Sequence, residues 1–365
     1  MSLEQPQAVL SYLVSPVFDG VEQLRLRLGR EVVSLVSTDP EPDMRAFAVP
    51  AGDPGLFAPD SPAWEVHADA SMFVGGIRAL LLQAMHPLAM AGVAEHSDYK
   101  RQPLRRLQRT AEFIRDTTYG NRRQVREATR RVRQIHKHVK GIAPDGRRYS
   151  ASDPELLRWV HAAEVDSFLT AYERYGAKPI TRARADRYLD EMAEVAILLG
   201  ADWVPRSQRE LKKYLRDVRP DLVAGEQARE TAEWLLRTPA HARGWLPQMI
   251  LNVAAIGLLP AWVRRELGLV PVPFVDPLLV VDPLIVRPTA TALVRTLGWA
   301  LAPNIVREAA QQRWKRKTKV RRTKTPRAKA PRAKAPRAGA KVANASGGRE
   351  RRAKIASTSP ALSLA

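Results

Sequence analysis

The chain has 365 residues, no cysteine and a formal net charge of +21. That length carries one large domain or two ordinary ones. The missing cysteine excludes a disulfide framework, a thiolate nucleophile and any Cys-ligated metal, cluster or haem. The charge is local: residues 313–355 hold eighteen Lys and Arg against one acid, Glu350, which leaves only +4 for the remainder.

At the N-terminus, residues 1–7 have no basic leader, and Ser11, Ser15 and Pro16 break the apolar run that follows. This is a poor signal peptide. No stretch reaches the roughly 18 consecutive apolar residues of a spanning helix. The expected location is the cytoplasm, peripheral to a membrane or nucleoid through the basic end.

Helical periodicity dominates from there on. Predicted helices cover 22–36, 71–93, 104–117, 122–140, 154–175, 182–199, 208–217, 226–237, 248–258, 260–267 and 288–301. Residues 37–63, with six prolines, read as an irregular lead-in. Asp153-Pro154 and Thr181 have the chemistry of helix starts, and Gly120, Gly141, Gly200 and Gly268 stand where helices should stop. The expected fold is all-α: a lead-in over 1–59, one large helical domain with a buried cofactor pocket over 60–312, and a tail over 313–365. Pro recurs every fifth residue from Pro326 to Pro336 among like charges, which predicts an extended, disordered tail. Such a tail is a solvated appendage or an electrostatic contact for nucleic acid or anionic membrane.

Several polar residues sit on apolar faces. The segment 75–87 is almost wholly apolar yet carries Arg78, Gln83 and His86, and burying such groups unpaired costs several kcal/mol. At roughly 100° per residue, His136 shares a face with Val125, Ala128, Val132, Ile135 and Val139, whereas His138 points to the charged side. His161 shares a face with Leu157, Val165, Phe168 and Tyr172. Each inward histidine alone reads as a core residue satisfied by a carbonyl. Together with Arg78 they read as a cofactor or catalytic pocket, and a neutral imidazole serves as metal or axial haem ligand. HExxH, GxSxG, the P-loop and the dinucleotide fingerprint are missing.

The ordered series Gly75-Gly76-x-Arg78, Gln83-x-x-His86-Pro87, Gly92-Val93-x-x-His96-Ser97, Arg106-x-x-x-Thr110, Tyr119-Gly120, His136-x-x-Val139-x-Gly141 and Tyr149-x-Ala151-x-Asp153-Pro154 through Trp159-Val160-His161 resembles one family. It is that of the fungal mycophenolic-acid-pathway oxygenase and the bacterial rubber oxygenase, or latex clearing protein. The motifs span about 70 to 170, with a weaker likeness to about 303.

The resemblance implies an all-helical domain that binds haem b through one proximal histidine and uses O2 to cleave isoprenoid carbon–carbon double bonds. Carried over by motif, His136 is the iron ligand. Arg106 and Thr110 lie at the haem pocket with Arg109 on the adjoining face, and Glu95 is a candidate distal acid. The substrate implied is a small apolar or isoprenoid molecule. The alternative is a non-enzymatic haem- or lipid-binding protein localised by its basic tail, and a third reading makes the tail the active part of a nucleoid protein.

Overall fold

The structure is a computed structural model, and it describes residues 5–37, 44–51, 53–97, 100–237, 245–269 and 282–324. In chain order come α1 (Gln5–Val36), α2 (Met44–Ala48), α3 (Pro62–Val66), α4 (Met72–Gln83), α5 (Pro87–His96), α6 (Pro103–Tyr119) and α7 (Arg122–His136). A two-stranded antiparallel hairpin follows, β1 (Lys140–Ile142) and β2 (Arg148–Ser150), with Gly141 opposite Tyr149. Then come α8 (Pro154–Tyr175), α9 (Arg182–Leu199), α10 (Gln208–Asp217), α11 (Glu226–Arg237), α12 (Trp245–Leu258), α13 (Ala261–Glu266), α14 (Arg287–Ala300) and α15 (Ile305–Lys324). The fold is all-α.

Helix α8 is the central element. Asp153 caps it by accepting from the Glu155 amide at 2.8 Å, and Pro154 opens its first turn. It gives Val165, Phe168 and Tyr172 to a cluster with Trp64, Tyr119, Tyr188 and Leu189. Trp159 and Ala163 enter a second cluster with Leu81, Met85, Leu259 and Val263. Ala171 and Tyr175 enter a third with Val74, Ala254, Ala290 and Val294. It thus feeds cores on several sides, and Arg158, His161 and Ser167 are buried along with its apolar residues.

Gly75 lets α4 press against α8, since a Cβ there would meet Phe168 Cδ1 at 3.0 Å. Arg78 crosses that contact at 4% exposure. Its Nη1 donates to Ser167 Oγ at 2.6 Å, its Nε to the Leu258 carbonyl at 3.0 Å, and its Nη2 pairs with Asp166 at 2.8 Å. The guanidinium is therefore taken up by protein partners. Arg78, expected at a cofactor pocket, here staples α4 to α8 and α12. Breaking a buried pair strands the remaining charge, so Arg78→Met should cost about 3 kcal/mol. A urea midpoint equal to that of the unaltered chain would refute the staple.

Helix α1, expected from residue 22, begins at Gln5, and three further boundaries differ from expectation. The helix predicted over 71–93 is two helices, because Pro87 cannot continue α4, and the two axes meet at 106° with His86 at the elbow. The helix predicted over 122–140 ends at His136, and Gly141 lies in β1 instead of stopping a helix.

The third difference concerns the basic end. A boundary at 312 cuts through α15, which runs on to Lys324, where the first compact unit of the chain ends. Arg313, the first residue of the expected tail, is 1% exposed. It donates to the carbonyls of Phe47 at 2.6 Å, Tyr119 at 2.8 Å, Asp53 at 2.9 Å and Gly120 at 3.2 Å. The repeat from Pro326 to Pro336 lies outside the described residues. Among the described residues no single helix is long and apolar enough to cross a membrane.

Candidate functional site

His136 is the last residue of α7, which Asn121 and Gln124 start with reciprocal capping hydrogen bonds. Val125, Ala128 and Thr129 are buried, but the packing thins toward the C-terminus and Ile135, expected inward, is 55% exposed. His136 itself is half-buried, and His138 is exposed. Nδ1 of His136 is buried with no hydrogen-bond partner. Loss of hydration lowers its pKa, so the imidazole is neutral at pH 7.

His161 on α8 is 8% exposed, and its Nε2 is likewise buried without a partner. Burial pulls its pKa down to about 4. His86 also has an unpartnered buried Nδ1 and a lowered pKa, chiefly from burial, but its ring packs on Trp159 at 6.3 Å between centroids. Trp159 and His161 are two residues apart on one helix and so point to different sides. Arg78 meets α8 at Asp166 and Ser167, again away from the His161 face. The α8 residues that meet His86 and Arg78 thus lie on other sides of that helix than His161.

Arg106 is half-buried in α6, and its Nη1 donates to Ser97 Oγ at 2.6 Å, tying α6 to the end of α5. Ser97 lines a cavity of about 570 Å3 together with Glu95, His96, Lys100, Gln227 and Glu230. Thr110 and Arg109 are both exposed, and the Thr110 hydroxyl donates to the Arg106 carbonyl within its own helix at 3.1 Å. Arg105 is exposed and donates to Gln102 at 3.2 Å. Arg106→Ala should therefore lower stability by about 1.5–3 kcal/mol, the range for a hydrogen bond to a charged group, and Arg105→Ala should leave it unchanged. Equal thermal midpoints for the two variants would refute the tie.

Sequence reasoning left three features unread. Tyr149 on β2 donates to Glu95 and meets His96 Nε2 at 3.1 Å, clamping the hairpin that follows His136 onto α5. A Cβ at Gly141 would stand 2.6 Å from the Tyr149 hydroxyl and 2.7 Å from Glu95 Oε2, so the clamp needs glycine there. The clamp joins residues more than fifty apart, and no local pattern announces it. Glu164, half-buried on α8 and raised by burial to about pKa 7, was findable: it follows His161 by three and shares its face. His67 bridges Thr118 Oγ1 at 2.7 Å and Tyr188 Oη at 3.1 Å.

A family model described as the catalytic domain of ER-bound oxygenase mpaB/B′ and rubber oxygenase matches residues 64–280, more than half of the chain. The chain belongs to this oxygenase family. The match takes in α4 to α13, including His136, His161 and the hairpin between them. No curated protein and no solved structure matches the chain. Membership makes the chain an oxygenase-type oxidoreductase.

Proposed function

We propose that the protein is a haem b-dependent oxygenase that uses O2 on an apolar, isoprenoid or lipid substrate and cleaves a carbon–carbon double bond. The observation that carries this is the buried, unpartnered Nδ1 of the neutral, half-buried His136 ring in a member of an oxygenase family. A buried ring nitrogen without a partner costs free energy unless something binds that ring, and a neutral imidazole is what an iron ligand must be. Among the described residues no three His, Cys, Asp or Glu side chains form a metal-binding group. Single imidazoles suit an iron whose other ligands come from a macrocycle.

When bound, haem supplies the redox centre for oxygenation by O2. His136 would hold the iron. Arg106, fixed through Ser97, would supply a cation for a propionate. Thr110 and Arg109, on the exposed part of α6, would border the rim of the haem pocket. His161, turned inward among Val165 and Phe168, would line an apolar wall suited to a lipid chain.

The basic end is assigned to polyanion contact, with nucleic acid or anionic membrane as partner. Residues 325–365 hold ten Lys and Arg against one acid, and such attraction is largely counterion release.

The test is an absorption spectrum of the full chain produced with haem supply, followed by turnover of an unsaturated isoprenoid. A Soret band with oxygen-dependent loss of the double bond is the expected result. A colourless, correctly folded protein would overturn the haem assignment, and a Soret band without turnover of any isoprenoid would leave a binding protein instead.

A further inference from the structure

Helix α14 and the helical turn that leads into it, Asp282–Val286, have two unlike sides. On one, Val286, Ala290 and Val294 are buried against Ala254 and Ala255 of α12. On the other, Ile285, Pro288, Thr289, Ala292, Thr296 and Trp299 recur at helical spacing, and all six are exposed. Leu284 beside them is 73% exposed and Ile285 60%. Single apolar side chains on a surface are ordinary, but adjacent ones continued by a tryptophan along the same helix mark a face that meets something.

Charge on this face has one sign. Residues 283–307 include Arg287, Arg295 and Arg307 and no acid, and Arg287 and Arg295 are exposed. Asp282, just before them, is largely covered and pairs with Arg174 at 3.4 Å. A second copy of the chain would bring two sets of arginines, and no acid, into one two-fold contact. Nucleic acid would engage the arginines and give Leu284 and Ile285 nothing to bury against. A bilayer with anionic headgroups takes both features. Apolar side chains enter the acyl boundary, a tryptophan sits at headgroup level, and arginine stems lie on the apolar surface with their guanidinium groups at the phosphates.

We propose that this face docks the folded domain on an anionic lipid bilayer. Leu284, Ile285 and Trp299 enter the boundary between headgroups and acyl chains, and Arg287 and Arg295 stand at the lipid phosphates. Such a contact lies along the membrane surface and needs no spanning helix. It is separate from that of the basic end: it belongs to the folded domain and is partly apolar, whereas the attraction of the basic end is electrostatic throughout. Salt tells the two apart, because it screens charges and leaves apolar burial in place.

The experiment is co-sedimentation of the full-length protein with phosphatidylcholine vesicles, alone or with about a third phosphatidylglycerol, at about 0.1 and about 0.5 M salt. Anionic vesicles should bind the protein at both salt levels, the higher one leaving the apolar part. Leu284→Ser combined with Ile285→Ser should lower that salt-resistant binding at least about tenfold, with the urea midpoint and binding to duplex DNA unchanged. Arg287→Glu combined with Arg295→Glu should lower binding at the lower salt by a similar factor. Ile142→Ser, which removes a similarly exposed apolar side chain from the hairpin, should change nothing. Binding that vanishes at the higher salt in the unaltered protein would overturn the proposal and leave the basic end as the membrane contact. Salt-resistant binding that survives in the serine variant would overturn it too, as would a lowered urea midpoint there, which would mean that the chain itself covers this face. A dimer that the serine variant dissociates, without vesicle binding, would overturn it in favour of a second copy. Salt-resistant vesicle binding by a chain that ignores duplex DNA would support this contact while retiring nucleic acid as partner of the basic end.

Discussion

Replacing His136 with Ala is expected to abolish haem retention, while His138→Ala retains it. His136 closes α7, half-buried with an orphaned Nδ1, whereas His138 lies in the turn beyond the helix and is exposed. Loss of a sole protein ligand removes the bond that fixes the iron, so haem occupancy after gel filtration should drop from near-stoichiometric to background. His161→Ala is the informative control. His161 is neutral and unpartnered as well, and loss of haem in that variant alone would move the ligand from α7 to α8. Equal occupancy in all three variants would refute an axial histidine from either helix.

The second large effect concerns Arg313. Truncation after Gln312 should unfold the domain or remove much of its stability, whereas truncation after Lys324 should leave the urea midpoint unchanged. Arg313 donates to four carbonyls: those of Phe47, Tyr119 and Gly120 at the ends of α2 and α6, and that of Asp53. The last carbonyls of a helix have no partner of their own and carry partial negative charge, so a buried cation there satisfies both. Each buried acceptor left open costs about 1–3 kcal/mol, and a domain has only about 5–15 kcal/mol in total. Arg313→Met isolates the guanidinium from the rest of the helix and should show most of the loss. A truncation at 312 that melts like the full chain would place the boundary back where composition alone puts it.

That boundary shows where sequence reading works and where it stops. Helices with strong periodicity and plain caps were legible: α8 to α11 begin and end at the residues their patterns indicate, because Asp153, Thr181 and Gly200 act through local backbone geometry. The all-α class followed from the same periodicity. Charge was misleading at 313 because a Lys/Arg-rich run was read as one solvated object, while its first residue is consumed by carbonyls about 190 to 270 positions earlier in the chain. Long-range partners escape periodicity in general. Arg78 looked available for a cofactor because Asp166 and Ser167 lie on another helix, and facing angles on α7 and α8 could not tell that His86 sits across α8 from His161. On α7 the spacing put Ile135 inward, where it is 55% exposed, and carried past His136, where the helix ends; on α8 it would have delivered Glu164 had the same test been applied to acids.

The elbow between α4 and α5 does more than redirect the chain. An unbroken helix through residues 72–96 would spend every interior carbonyl on its own amides and offer its surroundings only hydrocarbon. Stopping at Gln83 frees main-chain oxygens in the middle of an apolar core. The Gln83 carbonyl accepts from Trp159 Nε1 at 3.2 Å, and the Met85 carbonyl accepts from the Val223 amide at 2.8 Å. The Gln83 side chain returns a bond to the Val160 carbonyl at 3.1 Å. A break in one helix thereby becomes a directional socket for two other parts of the chain, giving an otherwise slippery, non-directional contact a fixed register.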